Sequence, residues 1–171
     1  MTVRPYMLII GFVSFSCWTG EATAQTSSYG ELQAAYMYNF AKYITWPDEG
    51  QQFIIGVFHD AEIMGELEST LSGKKVRGKA IVLKVVTTIE ELAACSIVYL
   101  SGSNSGSLGL IVSSIGEKNV LLVTEDDLIR KGAAISFVVE DDKLRFKLKK
   151  KSLEKSRLVA SDGLLKLAIL Q

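Results

Sequence analysis

Apolar residues recur along this chain with two different periods, and the switches between them mark out its elements. Leu32, Tyr36, Phe40 and Tyr43 fall three to four residues apart, the spacing of one helix face. They predict a helix over Glu31 to Thr45 with those four in the core. Met37 and Ile44 widen the stripe, and Tyr38 and Lys42 fall off it. Pro47 disfavours helical backbone at Trp46 and ends the element.

Phe53 to Phe58 is a continuous apolar run rich in β-branched residues, which suits a strand buried on both faces. A helix over Glu62 to Leu71 follows, stopped by Ser72-Gly73, and then a strand over Ala80 to Val86 after the turn-prone Arg77-Gly78. Thr88 and Glu91 have capping-box spacing for a short helix. Strands are predicted over Ser96 to Leu100 and Val120 to Thr124, with a helix over Leu108 to Ile115 between them. Strand and helix therefore alternate on short connections, the mark of a parallel sheet with crossovers. The period then changes. Ala133 to Val139 and Lys143 to Lys149 are separated by Asp141-Asp142, which predicts a β-hairpin. A last helix runs from Asp162 to Leu170 with Ser161 as its cap. The expected fold is a single α/β domain: a small, mainly parallel sheet, an antiparallel C-terminal hairpin and flanking helices.

The first 24 residues stand apart from this pattern. Arg4 precedes an apolar run from Tyr6 to Phe15, too short to span a bilayer, and Ala22-Thr23-Ala24 offers a cleavage site before Gln25. That is the layout of an export signal, so residues 1–24 are expected to be a leader and 25–171 the folded domain. Ser14-Phe15-Ser16 fits a lipobox poorly, so lipidation at Cys17 is not expected. Formal net charge is zero over 171 residues. Nothing in that balance marks a nucleic-acid binder, which would be strongly basic, and no nucleic-acid partner is expected. Beyond the leader Cys95 is the one cysteine, so no intramolecular disulfide can form and a buried, inert thiol is expected.

Candidate chemistry is sparse. His59 and Asp60 follow the first strand, but no G-x-S-x-G nucleophile accompanies them, and no second histidine or cysteine set that zinc would need. They read as loop residues. No catalytic residue, metal ligand or cofactor is expected. The loop Ser101 to Ser107 consists of Ser, Gly and Asn and enters a helix, where free N–H groups attract anions. It lacks the Gly-Lys-Ser/Thr of a phosphate loop. It reads either as a turn with a serine cap or as a small-ligand site at Ser101, Gly102, Ser103 and Asn104. Glu125-Asp126-Asp127 and Glu140-Asp141-Asp142 read as turn formers. Lys143, Arg145, Lys147 and Lys149 share one strand face, continued by Lys150, Lys151, Lys155 and Arg157. Lysines guard edge strands; the same face would also suit an acidic partner or anionic headgroups. Tyr38, Trp46, Lys143, Arg145 and Lys147 are the candidate partner contacts.

Several of these segments, in order, resemble the YfiR-like family of periplasmic regulators. They are Tyr38 to Lys42 with Trp46-Pro47, Ile55-Gly56-Val57, and Cys95 with its strand. Ile135-Ser136-Phe137 with Glu140, Leu144-Arg145-Phe146 and Ser161 to Ala168 complete the set. The resemblance implies a non-enzymatic regulator in the periplasm. Its implied partner is the extracytoplasmic sensor domain of an inner-membrane diguanylate cyclase, held inactive; related domains are joined to sensor kinases. An outer-membrane partner that sequesters the regulator is also implied, and self-association as a homodimer stays open. The chain departs from the family in lacking partner cysteines and in carrying Lys147-Leu148-Lys149 at the end of the hairpin. A different expectation is a small-ligand sensor module acting with a histidine kinase or a transporter.

Overall fold

Runs that are apolar at consecutive residues need cover on both faces, and here they receive it. The computed structural model describes residues 29–47 and 50–171; the expected leader, with Cys17, lies outside them. The first run forms β2, Phe53–Phe58, whose neighbours are β4, Lys79–Val86, and β5, Ile97–Leu100. Next come β6, Leu121–Thr124, and β7, Ile135–Glu140, all five strands parallel. β8, Lys143–Leu148, closes the expected hairpin antiparallel to β7. Asp141 and Asp142 both have positive φ, 51° and 57°, as a two-residue primed turn requires.

Period-two alternation sorts the strand residues between two cores. Ile55, Val57, Ile97, Tyr99, Leu121 and Val123 point to one face. Val98, Leu100 and Leu122 point to the other. The first face is covered by α1, Tyr29–Tyr43, and α2, Met64–Leu71, with α4, Lys150–Lys155, and α5, Asp162–Leu167. The second is covered by α3, Leu108–Ile115, and the 3₁₀ turn Glu90–Ala94. The observed class is the α/β fold that periodicity implies.

Three features depart from the expected elements. Helix α1 ends at Tyr43, and Ile44–Thr45 form a short strand, β1, antiparallel to β9, Val159–Ala160. The last helix stops at Leu167, and Ile169–Leu170 form β10 beside Lys147–Leu148 of β8. The basic face of β8 is therefore only partly a sheet edge. Lys75–Val76 add β3 antiparallel to β4. Arg77 and Gly78, φ 50° and 83°, make the turn between them.

The buried face of α1 is also rotated from the expected stripe. Ala34, Met37, Phe40 and Ala41 are fully buried, whereas Leu32 and Tyr43 are 39% and 46% exposed. The helix packs against α2 as well as the hairpin, and the small residues Ala34 and Ala41 allow that close approach. Tyr36 is half-buried, its hydroxyl donating to Leu144 O at 3.1 Å. Tyr36, Phe40, Phe137 and Phe146 form one aromatic cluster with centroids 5.0–6.1 Å apart. Trp46, expected on the surface, is 5% exposed. Its indole N–H donates to Ser96 O at 3.2 Å and its ring meets Phe53 edge-on.

Glu91 fulfils half of the expected capping box. Its carboxylate accepts from the N–H groups of Thr87 and Thr88 and pairs with Lys84. The Lys84 ammonium first, then those N–H groups, hold its pKa down at about 2.

On the second face, β2 needs glycine. A Cβ at Gly56 would lie 2.6 Å from Cys95 Sγ and 2.7 Å from Val86 Cγ2. Gly56→Ala is expected to cost about 1–3 kcal/mol in urea unfolding, as overpacking does, and adding Cys95→Ala should recover part of it. An undiminished midpoint in the single variant would contradict this packing. Cys95 is buried, and burial pushes its thiol up to about 11. The unfolded chain loses that proton near about pH 8.5, so its contribution to stability is present below that pH. It is lost as pH rises toward 11. Iodoacetamide should therefore label Cys95 only as fast as the protein opens; labelling at the rate of a free thiol would refute this.

Candidate functional site

Across the sheet the five parallel strands run β4-β2-β5-β6-β7, which in chain order is second, first, third, fourth, fifth. In such sheets the crevice outside the carboxyl ends of the first and third strands is where ligands sit. Here those ends are Phe58-His59-Asp60 and Leu100-Ser101-Gly102. The fold thus brings together two segments that the sequence treats separately. Asn104 Nδ2 donates to His59 O at 3.5 Å across the gap. A cleft of about 360 Å³ opens there, lined by Tyr29, Gln33, Asp60, Glu66, Ser101 and Glu125 among others. It continues past Tyr29, Gln33 and Glu125 into a wider groove over Phe137, Val139 and Leu144.

The electrostatics of this crevice are those of a carboxylate cluster. Ser101–Ser107 is not an open loop; Gly102–Ser107 is a 3₁₀ turn leading straight into α3. The N–H of Gly102, the expected anion donor, donates to Glu125 Oε2 at 2.7 Å. A Cβ at Gly102 would lie 3.1 Å from Asp126 Oδ1. The hydroxyls of Ser101 and Ser103 bond each other at 3.0 Å, and Asn104 Nδ2 donates to both. The four candidate residues thus bond one another and the protein's own carboxylate. An incoming anion would meet Glu125, Asp126, Asp60 and Glu66. Asp60 Oδ1 accepts from the N–H of Glu62 at 3.0 Å, and His59, at φ 52°, packs on Phe58. Among the described residues no group of three or more His, Cys, Asp or Glu is placed to hold a metal ion.

Beneath the crevice lie buried polar pairs that shape it. Tyr99 donates to Gln33 Oε1 at 2.9 Å, tying α1 to β5, and burial raises its phenol pKa. The Thr124 and Ser136 hydroxyls are 2.7 Å apart, and Ser136 Oγ accepts from the N–H of Leu128. That fixes the turn bearing Glu125, Asp126 and Asp127.

The candidate partner contacts scatter. Trp46 is core. Tyr38 is half-buried, with its hydroxyl 3.5 Å from Lys75 O and the ammonium groups of Lys74 and Lys42 over its ring. Lys147 pairs with Asp127 at 2.7 Å, and Arg145 lies 3.7 Å from Glu140. Lys143 is exposed. The hairpin's positive charge is thus partly spent within the molecule. Further on, in and just after α4, Lys150, Lys151, Lys155 and Arg157 form no ion pair with another described residue. Sequence reasoning included them only as a continuation of the strand, because α4 and β9 were not foreseen.

Residues 30–169 match a family model described as YfiR/HmsC-like. The chain belongs to the YfiR/HmsC-like family. No curated protein matches it. Members of this family are periplasmic regulators rather than catalysts, and the matched range takes in the motifs scattered from α1 to α5. Most of them mark packing: Gly56 faces Cys95, Phe137 and Phe146 face α1, and the Ser161 hydroxyl caps α5 by accepting from the N–H of Leu164 at 3.3 Å. Among the described residues no helix is long and apolar enough to cross a membrane.

Inorganic phosphate should leave the thermal midpoint unchanged, because Glu125 already holds the Gly102 donor. Removing the carboxylates in Glu125→Ala/Asp126→Ala should make the midpoint respond to phosphate. A rise in the wild type, abolished by Gly102→Trp, would instead restore the anion site.

Proposed function

We propose that this YfiR/HmsC-like protein is exported through a leader spanning residues 1–24. In the periplasm it binds the extracytoplasmic sensor domain of an inner-membrane diguanylate cyclase and holds that enzyme inactive. The observation that carries this reading is the family match over residues 30–169. The crevice is in keeping with a non-catalytic role: the Gly102 donor at the head of the 3₁₀ turn is engaged by the protein's own Glu125, and Asp60 accepts from the N–H of Glu62 in its own loop. Repression then follows from differential affinity. The regulator binds the inactive conformation of the sensor domain more tightly than the active one, and the ratio of those affinities sets how far the cyclase is shifted.

Deleting the gene should raise cellular cyclic-di-GMP several-fold, and expressing the wild-type protein with its leader should reverse the rise. Expression of the same chain without residues 1–24 should fail to reverse it. Cyclic-di-GMP that does not change on deletion would end the cyclase reading. It would favour a ligand-sensing module coupled to a histidine kinase or a transporter.

A further inference from the structure

Behind the hairpin the chain forms an apolar groove of about 250 Å³, floored by Leu153, Leu158, Val159, Ala160 and Leu165 and walled by Lys150 and Glu154. Val159 is 66% exposed although it is a β-branched residue in a strand. Residues 149–171 contain six basic side chains, Lys149, Lys150, Lys151, Lys155, Arg157 and Lys166, against two acidic ones, Glu154 and Asp162, in a chain of zero net charge. None of the six forms an ion pair with another described residue. On β8, by contrast, Arg145 and Lys147 are matched by carboxylates.

The backbone supplies an independent sign. Helix α4 ends with the N–H of Leu158 donating to Leu153 O at 2.8 Å and that of Arg157 to Glu154 O at 2.9 Å. That is a Schellman ending, whose left-handed position is ordinarily glycine. Here it is Arg157 at φ 56°, exposed, its guanidinium bonded to no described residue. A side chain in that conformation costs stability, and sites that retain such strain are often functional. Arg77, the other arginine at positive φ, has its guanidinium engaged with Ile44 O and Trp46. Arg157 has no such internal use.

We propose that the groove between α4, β9 and α5 is a docking site for an acidic amphipathic segment of the protein partner. Aliphatic side chains would lie on Val159, Ala160 and Leu165 above the buried Leu153 and Leu158, and carboxylates would meet Lys150 and the exposed Arg157 next to Leu158. This rests on the reading of the protein as a partner-binding regulator, and charge complementarity selects the occupant. Rim charges of this kind set encounter and register, while the apolar floor supplies the contact area.

The probe is a fluorescent amphipathic helix of about four turns, with leucines on one face flanked by glutamates, beside a twin with glutamine in place of glutamate. The purified protein should bind the acidic peptide about tenfold more tightly than its twin, about the factor that roughly 1.4 kcal/mol confers. Lys150→Glu and Arg157→Gln should each weaken it several-fold. Arg157→Gly should weaken it equally while raising the thermal midpoint by a few degrees, because the strain goes with the charge. Equal binding of both peptides, or binding indifferent to these substitutions, overturns the proposal. So does binding to phosphatidylglycerol vesicles without binding to the peptide, or self-association in sedimentation that Lys150→Glu abolishes. This readout is independent of cyclic-di-GMP, so the groove can fail while the regulator reading stands, and the reverse.

Discussion

The aromatic cluster of Tyr36, Phe40, Phe137 and Phe146 is where the two ends of the fold are joined. The helix comes from the start of the described chain and the hairpin from beyond residue 134, so this contact closes a loop of about a hundred residues. Burying rings of this size contributes roughly 1.5–3 kcal/mol each, and the edge-on contacts add to that. The Tyr36 hydroxyl adds a directional bond to the hairpin at Leu144 O. Once α1 is fixed there, Gln33 reaches Tyr99, Ile44–Thr45 pair with β9, and Trp46 seats against Phe53 and Ser96. The sheet's first face, the β1–β9 ladder and the contact with α5 all depend on that helix position.

The fold also separates charge in a molecule with none overall. A parallel sheet collects the residues that follow its strands at one edge, and here those are Asp60, Glu125 and Asp126. The basic residues of α4 and its flanks lie beyond the hairpin. Acidic groups at the crevice meet the protein's own N–H donors, which removes the anion site that the Ser/Gly/Asn loop advertised. Basic groups at the other place meet nothing internal. In a regulator that works through a protein partner, a surface with unmatched charge around exposed aliphatic side chains is the more informative one.

Much of the fold was legible because the runs are short and bounded by turn residues, β2 and β5 being apolar nearly throughout and β8 alternating. β2 occupies the residues its run delimited, and the Asp141-Asp142 turn follows from a two-residue gap between strands. Helix α1 was harder to orient. Leu32, Tyr36, Met37, Phe40, Tyr43 and Ile44 spread over an arc of about 140° with Tyr38 outside it, so spacing alone could not choose the buried face. Ala34 and Ala41 were the available signal, since small residues mark where another element comes close. Helix α4 was masked by its lysines, which continued the alternation of β8 and concealed the Leu153–Leu158 ending.

The amino-acid sequence by itself determined the alternation of strand and helix, the hairpin and the family, because these rest on local period, turn chemistry and the order of short motifs. Only the tertiary structure decided which carboxylate meets Gly102, that Trp46 is core, and that carboxylates match Arg145 and Lys147 of β8 but not the lysines of α4. Those outcomes depend on contacts between residues tens of positions apart, which hydrophobic period does not encode.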